Sequence, residues 1–249
     1  MTKKIIVLVL GGIILFAGCA VKQGDEGIGN PQTQETDVKK DSNESGQVIL
    51  EKNGITLSVF SETSGDTKKD FLKVSGLSDS TVEEKLNEEL HTFSTWGDAT
   101  DYVVSGSIIG NAGNGFISVK RDGTYYPEKE ETFFNTQILD LTTGEQAGGL
   151  TDFVTLGKDF RKLITNGTFV QMEPDPDGEV KIKDAAERLA VEIVDKNKAG
   201  DFDIRFYLTD DVFGLYTELA DEGKILRFEA PYNAVRSVLS EKLLSAIDS

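Results

Sequence analysis

Short runs in which apolar and polar residues alternate are the feature that most constrains the fold of this 249-residue chain. Ile55, Leu57 and Val59 alternate with polar neighbours, and Leu72 and Val74 do the same further along. Alternation of this kind is typical of a strand that has one face on a core. We predict that the two runs pair as a β-hairpin.

Three further strand patterns lie in the middle of the chain, from Tyr102 to Ile109, from Phe116 to Lys120 and from Thr132 to Leu141. The stretch 110–115 between the first two contains only Gly, Asn and Ala, and glycine and asparagine tolerate a positive φ. The third run ends in the turn Thr142-Thr143-Gly144. The three patterns together predict an antiparallel meander.

Helical periodicity first occurs after Ser80-Thr81-Val82-Glu83, which has the form of a capping box. Apolar residues then recur on one helical face at Val82, Leu86, Leu90 and Phe93. We predict that this helix packs on the sheet. Two more helices are predicted from the apolar residues Phe160, Leu163 and Ile164, and from Ile182, Ala186, Leu189, Ile193 and Val194, the second ending before Gly200.

Strand patterns return near Ile204 to Leu208, Val212 to Thr217 and Ile225 to Ala230. The closing residues predict one helix preceded by Pro231, with its apolar stripe at Val235, Leu239, Leu243 and Ile247. Strands and helices thus occur in blocks instead of strict alternation. This arrangement favours an α+β fold, an antiparallel sheet meander with helices packed on one face, over a parallel sheet.

The N-terminus has the pattern of a lipoprotein export signal. Lys3 and Lys4 precede a thirteen-residue apolar segment, Ile5–Ala17, and small residues stand directly before Cys19. We predict a signal peptide over 1–18 and a diacylglyceryl group, carrying chains such as palmitate, on Cys19. An uncleaved anchor and a secretory signal cut elsewhere are the alternatives. The apolar segment is shorter than the about 20 residues that span a bilayer.

The rest of the chain divides by composition. Residues 19–47 have few large apolar side chains after the cysteine and predict a disordered tether. Residues 48–154 and 155–249 are predicted to be the N-terminal and C-terminal parts of one α+β module. Cys19 is the one cysteine, so a disulfide within the chain is excluded.

The charge of the chain is strongly negative, −17 at pH 7. Loss of residues 1–18 removes two lysines and leaves 24 basic and 43 acidic side chains, a formal charge of −19. Such a field repels nucleic acid and anionic headgroups and attracts cationic partners. We therefore expect no nucleic-acid partner.

Residue types restrict the possible chemistry. His91 is the one histidine, and we predict a structural role for it on the flank of its helix. Because the predicted lipid consumes the one thiol, cysteine–histidine catalysis is excluded. Zinc sites built from several His or Cys ligands are excluded as well, and no catalytic or cofactor-binding residue is assigned. Pairs of carboxylates remain possible for glycoside hydrolysis. Asp210 and Asp211 are the natural pair, but a turn is the favoured interpretation because aspartate bonds its own backbone there.

Two other patterns have a functional and a structural interpretation. The loop from Glu173 to Asp184 spaces its oxygens as a calcium loop does, although two prolines stiffen it, and an acidic loop without metal is favoured. Aromatic residues that could stack on sugar rings are Tyr125, Tyr126, Phe133, Phe134 and Trp96. Alternation along a strand places half of the neighbouring ones inward, so core packing is favoured.

Three segments, in order, resemble the extracellular PdaC/RsiV-like domains. They are Leu72–Leu77 with the helix that follows, Asn135–Gly144 with Leu150–Val154, and Phe206–Asp211 with Gly214–Tyr216 and Arg227–Tyr232. The resemblance covers about residues 50 to 240. It implies an extracytoplasmic binding module, which in one relative binds lysozyme as part of an anti-sigma factor and in another precedes a peptidoglycan deacetylase domain.

Four residues precede the apolar run, so we expect no cytoplasmic sigma-binding segment in this chain, and we expect no deacetylase domain. In place of a loop with Gly-Gly-Ala-His it has Tyr125–Glu131, so no ligand-binding residue is transferred. We expect a non-catalytic lipoprotein domain that binds a cell-wall glycan or a cationic envelope protein such as lysozyme. The alternative is a carboxylate-dependent cell-wall glycan hydrolase, or an accessory to one.

Overall fold

The first sheet of the computed structural model confirms the predicted hairpin. It contains β1 (Gln47–Lys52), β2 (Ile55–Ser64) and β3 (Thr67–Ser75) in the order β1-β2-β3. Leu57 lies opposite Val74, and both are buried. Asn53 and Gly54, which join β1 to β2, both have positive φ, a conformation that these two residue types adopt readily.

Helix α1 (Ser80–Thr95) packs against the first sheet and buries Leu86 and Leu90, as the apolar stripe predicts. The predicted capping box is wrong by one position. Asp79 is the N-cap, and its carboxylate accepts hydrogen bonds from the amides of Thr81 at 2.9 Å and Val82 at 3.3 Å. The Asp79 backbone is extended, so Ser80 is already the first helical residue.

The second sheet is the predicted meander, with β4 (Asp101–Ile109), β5 (Phe116–Tyr125) and β6 (Glu131–Asp140) in the order β4-β5-β6. Both of its faces are covered along β5, where every residue from 116 to 119 is buried. Ile117 and Val119 belong to a core shared with the first sheet and α1. Phe116 belongs to a second core on the opposite face.

Between the second and third sheets lie α2 (Leu150–Phe153), α3 (Lys158–Thr165), β7 (Val170–Glu173) and α4 (Ala185–Ala190). The predicted helix at Phe160 is confirmed as α3. The predicted longer helix begins later than expected, at Ala185 instead of near Ile182, and α4 passes without a break into a π-helical turn over Val191–Asp195. Strand β7 was not predicted, since its four residues are too few to show a clear alternation.

The third sheet has the order β7-β10-β9-β8, with β8 (Phe206–Leu208), β9 (Val212–Leu219) and β10 (Lys224–Pro231). These strands confirm the predicted ones, apart from Ile204, which lies outside the described residues. Two buried hydrogen bonds join this sheet to the second. The Thr136 hydroxyl donates to the Phe206 carbonyl at 2.8 Å, and the Leu208 amide donates to the Ser118 hydroxyl at 2.9 Å.

The closing segment is not the single helix that its stripe predicts. Helix α5 (Tyr232–Val235) passes into a 3₁₀ turn, and α6 (Glu241–Ile247) begins after a break. Leu239 is extended there and forms a β-bridge with Val154. Ser240 donates its amide to the Phe153 carbonyl at 2.8 Å and caps α6, so a distant segment interrupts the helix.

The structure describes residues 46–64, 67–97, 99, 101–125, 131–176, 178, 182–196, 205–219 and 223–249, and they lie within one compact unit, Asn43–Ser249. The antiparallel α+β fold class is confirmed. The signal peptide and Cys19 lie outside the described residues, as does the tether apart from Gly46 and Gln47. The division at residue 154 stays a prediction. Across these ranges we find no helix with the length and apolar character needed to cross a membrane.

Candidate functional site

A row of three residues crosses the third sheet and forms the base of the candidate site. Tyr207 of β8 lies opposite Gly214 of β9, which in turn lies opposite Glu229 of β10. A Cβ atom at Gly214 would collide with the Tyr207 ring, so only glycine lets this ring lie flat across the neighbouring strand. The Tyr207 hydroxyl thereby reaches Glu229 and donates a hydrogen bond to its carboxylate.

The surroundings keep this phenol protonated. Tyr207 is fully buried, and burial raises the pKa of its hydroxyl far above the ordinary value near 10. The Glu229 carboxylate raises that pKa further, because a second negative charge beside it is unfavourable. Tyr207 is therefore a fixed hydrogen-bond donor at every physiological pH and does not supply a nucleophilic phenolate.

Lys120 of β5 approaches the same ring from the second sheet. Its Nζ lies 5.1 Å from the centroid of Tyr207, within the range of a cation–π contact. Burial lowers the pKa of this ammonium group, and the positive charge of Arg227 lowers it further. The carboxylates of Glu229 and Asp122 act in the opposite direction and favour the charged form.

Arg227 completes the site from β10. Its guanidinium lies 5.2 Å from the ring centroid of Phe134, and its Nε is 3.5 Å from the carboxylate of Glu173 on β7. We refer to the five side chains that meet here as the charged cluster, Lys120, Glu173, Tyr207, Arg227 and Glu229. Arg227 pairs with Glu173, and Glu229 accepts from Tyr207, so the cluster holds cationic and anionic groups that can bind polar groups by charge-assisted hydrogen bonds.

A second feature is the exposed side of α1. Glu84, Glu88 and Glu89 are all exposed, and we call them the acidic face of α1. Lys85 stands among them, but it pairs with Glu145 through an Nζ to Oε1 distance of 2.6 Å. Because the opposite side of α1 is packed on the core, this helix presents its carboxylates at fixed positions.

His91, Asp210 and Asp211, which the sequence offered as candidates, do not belong to the charged cluster. His91 packs edge-on against Phe71, with ring centroids 4.7 Å apart, and its Nε2 is 3.1 Å from a carboxylate oxygen of Glu62. Asp210 and Asp211 are exposed in the turn between β8 and β9. Asp210 pairs with Lys52 at 2.9 Å, so one member of this carboxylate pair already has a cationic partner.

The structure separates the aromatic residues that could have formed a platform for sugars. Phe134 is buried and packs edge-on against Tyr207 and Tyr216, whereas Phe133 is half-buried on the other face of β6. Trp96 is 68% exposed after the end of α1. The side chain of Tyr125 and all of Tyr126 lie outside the described residues.

The described residues of the loop from Glu173 to Asp184 do not form a calcium site. Glu173 pairs with Arg227, and Asp184 is exposed immediately before α4. Asp177 lies outside the described residues. Within the part of the chain that the structure describes, no group of three or more His, Cys, Asp or Glu side chains could hold a metal ion.

Sequence reasoning did not identify the charged cluster. Its members are ordinary strand residues that lie about 20 to 110 positions apart along the chain, apart from the close pair Arg227 and Glu229. One available signal was Gly214, since an isolated glycine inside a strand pattern often marks the close approach of another group. The sequence could not show that the approaching group is Tyr207.

Comparisons with known proteins find similarity only among solved structures. A scan against models of protein families finds no match, and a search of curated proteins finds none. Among solved structures, the chain is similar to a crystal structure of a DUF3298-family member from Bacteroides fragilis NCTC 9343. The identity is 12%, the TM-score is 0.40, and the alignment covers 81% of this chain and 98% of the other.

Proposed function

We propose that this chain is a cell-envelope lipoprotein, held in the membrane by lipid on Cys19, whose α+β domain is a non-catalytic binding module outside the cytoplasm. Its ligand is a cell-wall component or an envelope protein. The export signal and the small residues before Cys19 support the location. The resemblance of three ordered segments to PdaC/RsiV-like domains supports a binding role.

The observation that carries the proposal is the acidic face of α1. Glu84, Glu88 and Glu89 are exposed on a helix held by its apolar side, in a chain whose net charge is −17. A cationic protein would be attracted over a distance of several ångströms and would meet these carboxylates without rearranging the helix. A cationic muramidase such as lysozyme is the specific partner that we propose.

Binding can be tested by sedimentation of the purified full chain with lysozyme. We expect a complex at low ionic strength that weakens but persists at physiological salt, because exposed charges are screened within about 8 Å there. Absence of a complex under both conditions would remove lysozyme as the partner.

A charge-reversal variant locates the binding surface. Glu84→Lys with Glu88→Lys should reduce the affinity for lysozyme at least tenfold by placing like charges at the interface. The matched control is Glu51→Lys with Glu218→Lys, which makes the same change in net charge at two exposed strand positions. Equal loss in both variants would mean that net charge alone, and not α1, determines binding.

The non-catalytic part of the proposal has its own test. The full chain is incubated with peptidoglycan, and soluble muropeptides are measured against a known muramidase. We expect none above background. Release that disappears in Glu229→Gln would instead establish the carboxylate-dependent hydrolase as the function.

The lipid anchor is tested on the native protein. Cys19→Ala should abolish labelling by radioactive palmitate and release the chain from the membrane fraction, since a single cysteine carries the anchor. The wild-type chain should remain with the membrane after a high-salt wash. Retention of the variant in the membrane would indicate an uncleaved apolar anchor.

A further inference from the structure

Arg121 lies in a slot formed by glycine on the face of β5 that is turned towards α1. Gly123, two residues further on the same face, lies opposite Tyr102 of β4 on one side and Phe133 of β6 on the other. A Cβ atom at Gly123 would collide with the Asp101 carbonyl and lie 2.6 Å from Cβ of Tyr102. The missing side chain leaves a gap between the two rings.

The guanidinium of Arg121 fills that gap. Its Cζ is 4.2 Å from the ring centroid of Tyr102 and 5.0 Å from that of Phe133, so it contacts aromatic side chains from both neighbouring strands. The residue is 2% exposed. Across the described ranges it is the one charged residue in the buried class.

Two nitrogens of this guanidinium have no hydrogen-bond partner. Nε and Nη2 of Arg121 are both buried, and no described residue accepts a hydrogen bond from either. Arg161 and Arg236, by contrast, have carboxylate partners in Glu187 and Asp248. Burial lowers the pKa of the Arg121 guanidinium, but an arginine remains charged at neutral pH.

The position of the two unpaired nitrogens defines a ligand chemistry. Nε and Nη2 occupy the same edge of the planar guanidinium, and their N–H bonds point in parallel. This edge matches the two oxygens of a carboxylate, which accept both hydrogen bonds in one plane. Stacking between two rings holds the plane in place, so the orientation does not have to be acquired on binding.

We propose that Arg121 is the recognition residue of a binding site for a small organic acid, whose carboxylate pairs with Nε and Nη2 between Tyr102 and Phe133. The two flanking side chains are half-buried, so part of each borders solvent. The ligand supplies the acceptors that the described residues do not. This site lies on the opposite face of the second sheet from the charged cluster and is independent of the proposed partner protein.

Acetate is the probe, because it carries a carboxylate and little else that a protein can recognise. Chloride is replaced by acetate at constant ionic strength, and the melting temperature of the full chain is measured. We expect it to rise with the logarithm of acetate concentration, as a ligand of the native state requires. Arg121→Met should remove the dependence, and Arg121→Lys, which keeps the charge but lacks the planar edge, should remove most of it.

A spectroscopic measurement on the wild-type chain does not depend on how the variants fold. With ¹⁵N-labelled arginine, the Nε–H resonance of Arg121 should move downfield and saturate on addition of acetate. That of Arg236, which is exposed and already paired, should not. The proposal would be overturned if acetate left the Arg121 resonance unmoved, or if chloride moved it equally. It would also be overturned if Arg121→Lys kept the full dependence of the melting temperature on acetate.

Discussion

Lys120 and Arg121 are neighbours in β5, yet their side chains project from opposite faces of the second sheet into different surroundings. Lys120 meets the third sheet, where its Nζ contacts the Tyr207 ring and the Glu229 carboxylate favours the charged form, although burial and Arg227 lower its pKa overall. Arg121 meets two rings and no described carboxylate. In a strand covered on both sides, the element stacked on each face determines whether a buried cation is paired.

The largest expected effect tests the slot on the Arg121 face. Gly123→Ser should lower the free energy of unfolding by about 3 kcal/mol, because the new Cβ meets backbone that cannot move aside. The control is Gly157→Ser, where a Cβ would meet nothing within 4 Å, and we expect a change below about 0.5 kcal/mol. Urea unfolding measures the free energy of both variants. Similar losses would mean that no close contact at Gly123 excludes a side chain.

On the Lys120 face, Tyr207→Phe should lower the free energy of unfolding by about 2 kcal/mol, because half-buried Glu229 loses the phenol that donates to it. Tyr232→Phe is the matched control, since that hydroxyl donates to the uncharged Thr209 carbonyl at 2.8 Å. We expect about 1 kcal/mol there. Equal losses by urea unfolding would show that the Glu229 charge adds nothing to the cluster.

Replacing Arg121 and replacing Lys120 should change the free energy of unfolding in opposite directions. In buffer without carboxylates, Arg121→Met should raise the free energy of unfolding by about 1 kcal/mol, because an apolar side chain replaces a buried charge with unpaired donors. Lys120→Met should lower it by about 0.5 kcal/mol through loss of the contact with Tyr207. If calorimetry finds both variants destabilised to the same extent, the two faces of β5 do not differ in how they stabilise a cation.

The smallest effect concerns tyrosine ionisation. Burial raises the pKa of both Tyr102 and Tyr207, but the Arg121 cation opposes the rise for Tyr102, whereas Glu229 adds to it for Tyr207. Both phenols therefore ionise later in the folded chain than in the unfolded one. Their contribution to stability is fully present below about pH 10 and is lost as the pH rises above it.

Alkaline titration of phenolate absorbance should accordingly show Tyr102 ionising before Tyr207, with Tyr102→Phe and Tyr207→Phe used to assign the signals. Arg121→Met removes the nearby cation and should move the ionisation of Tyr102 to still higher pH. Ionisation of Tyr207 first would reverse the electrostatic difference between the two faces.

Local patterns predicted most of the strands and the stripe of α1, because alternation and helical spacing are properties of a few adjacent residues. These patterns gave wrong predictions where the start or the end of a helix depends on residues distant in the sequence. Asp79 and Ser80 are both good N-caps, and only the path of the chain out of β3 makes Asp79 the cap. Leu239 fits a helical stripe, but its bridge to Val154 interrupts the helix.

The candidate sites were less predictable than the fold. Arg121 and Gly123 are visible in the sequence as two residues of a strand, but the slot exists only because the register places Tyr102 and Phe133 on either side of Gly123. The meeting of Lys120 with Tyr207 depends likewise on the stacking of two sheets. Lipidation of Cys19 and the partner remain predictions.

By itself the sequence determined most of the element types, the antiparallel α+β class and the net charge, since these follow from residue type and short-range spacing. Only the tertiary structure decided which charges are paired. Strand register and sheet stacking bring together residues about 90 positions apart, such as Lys120 and Tyr207, and the energy of a buried charge depends on those neighbours.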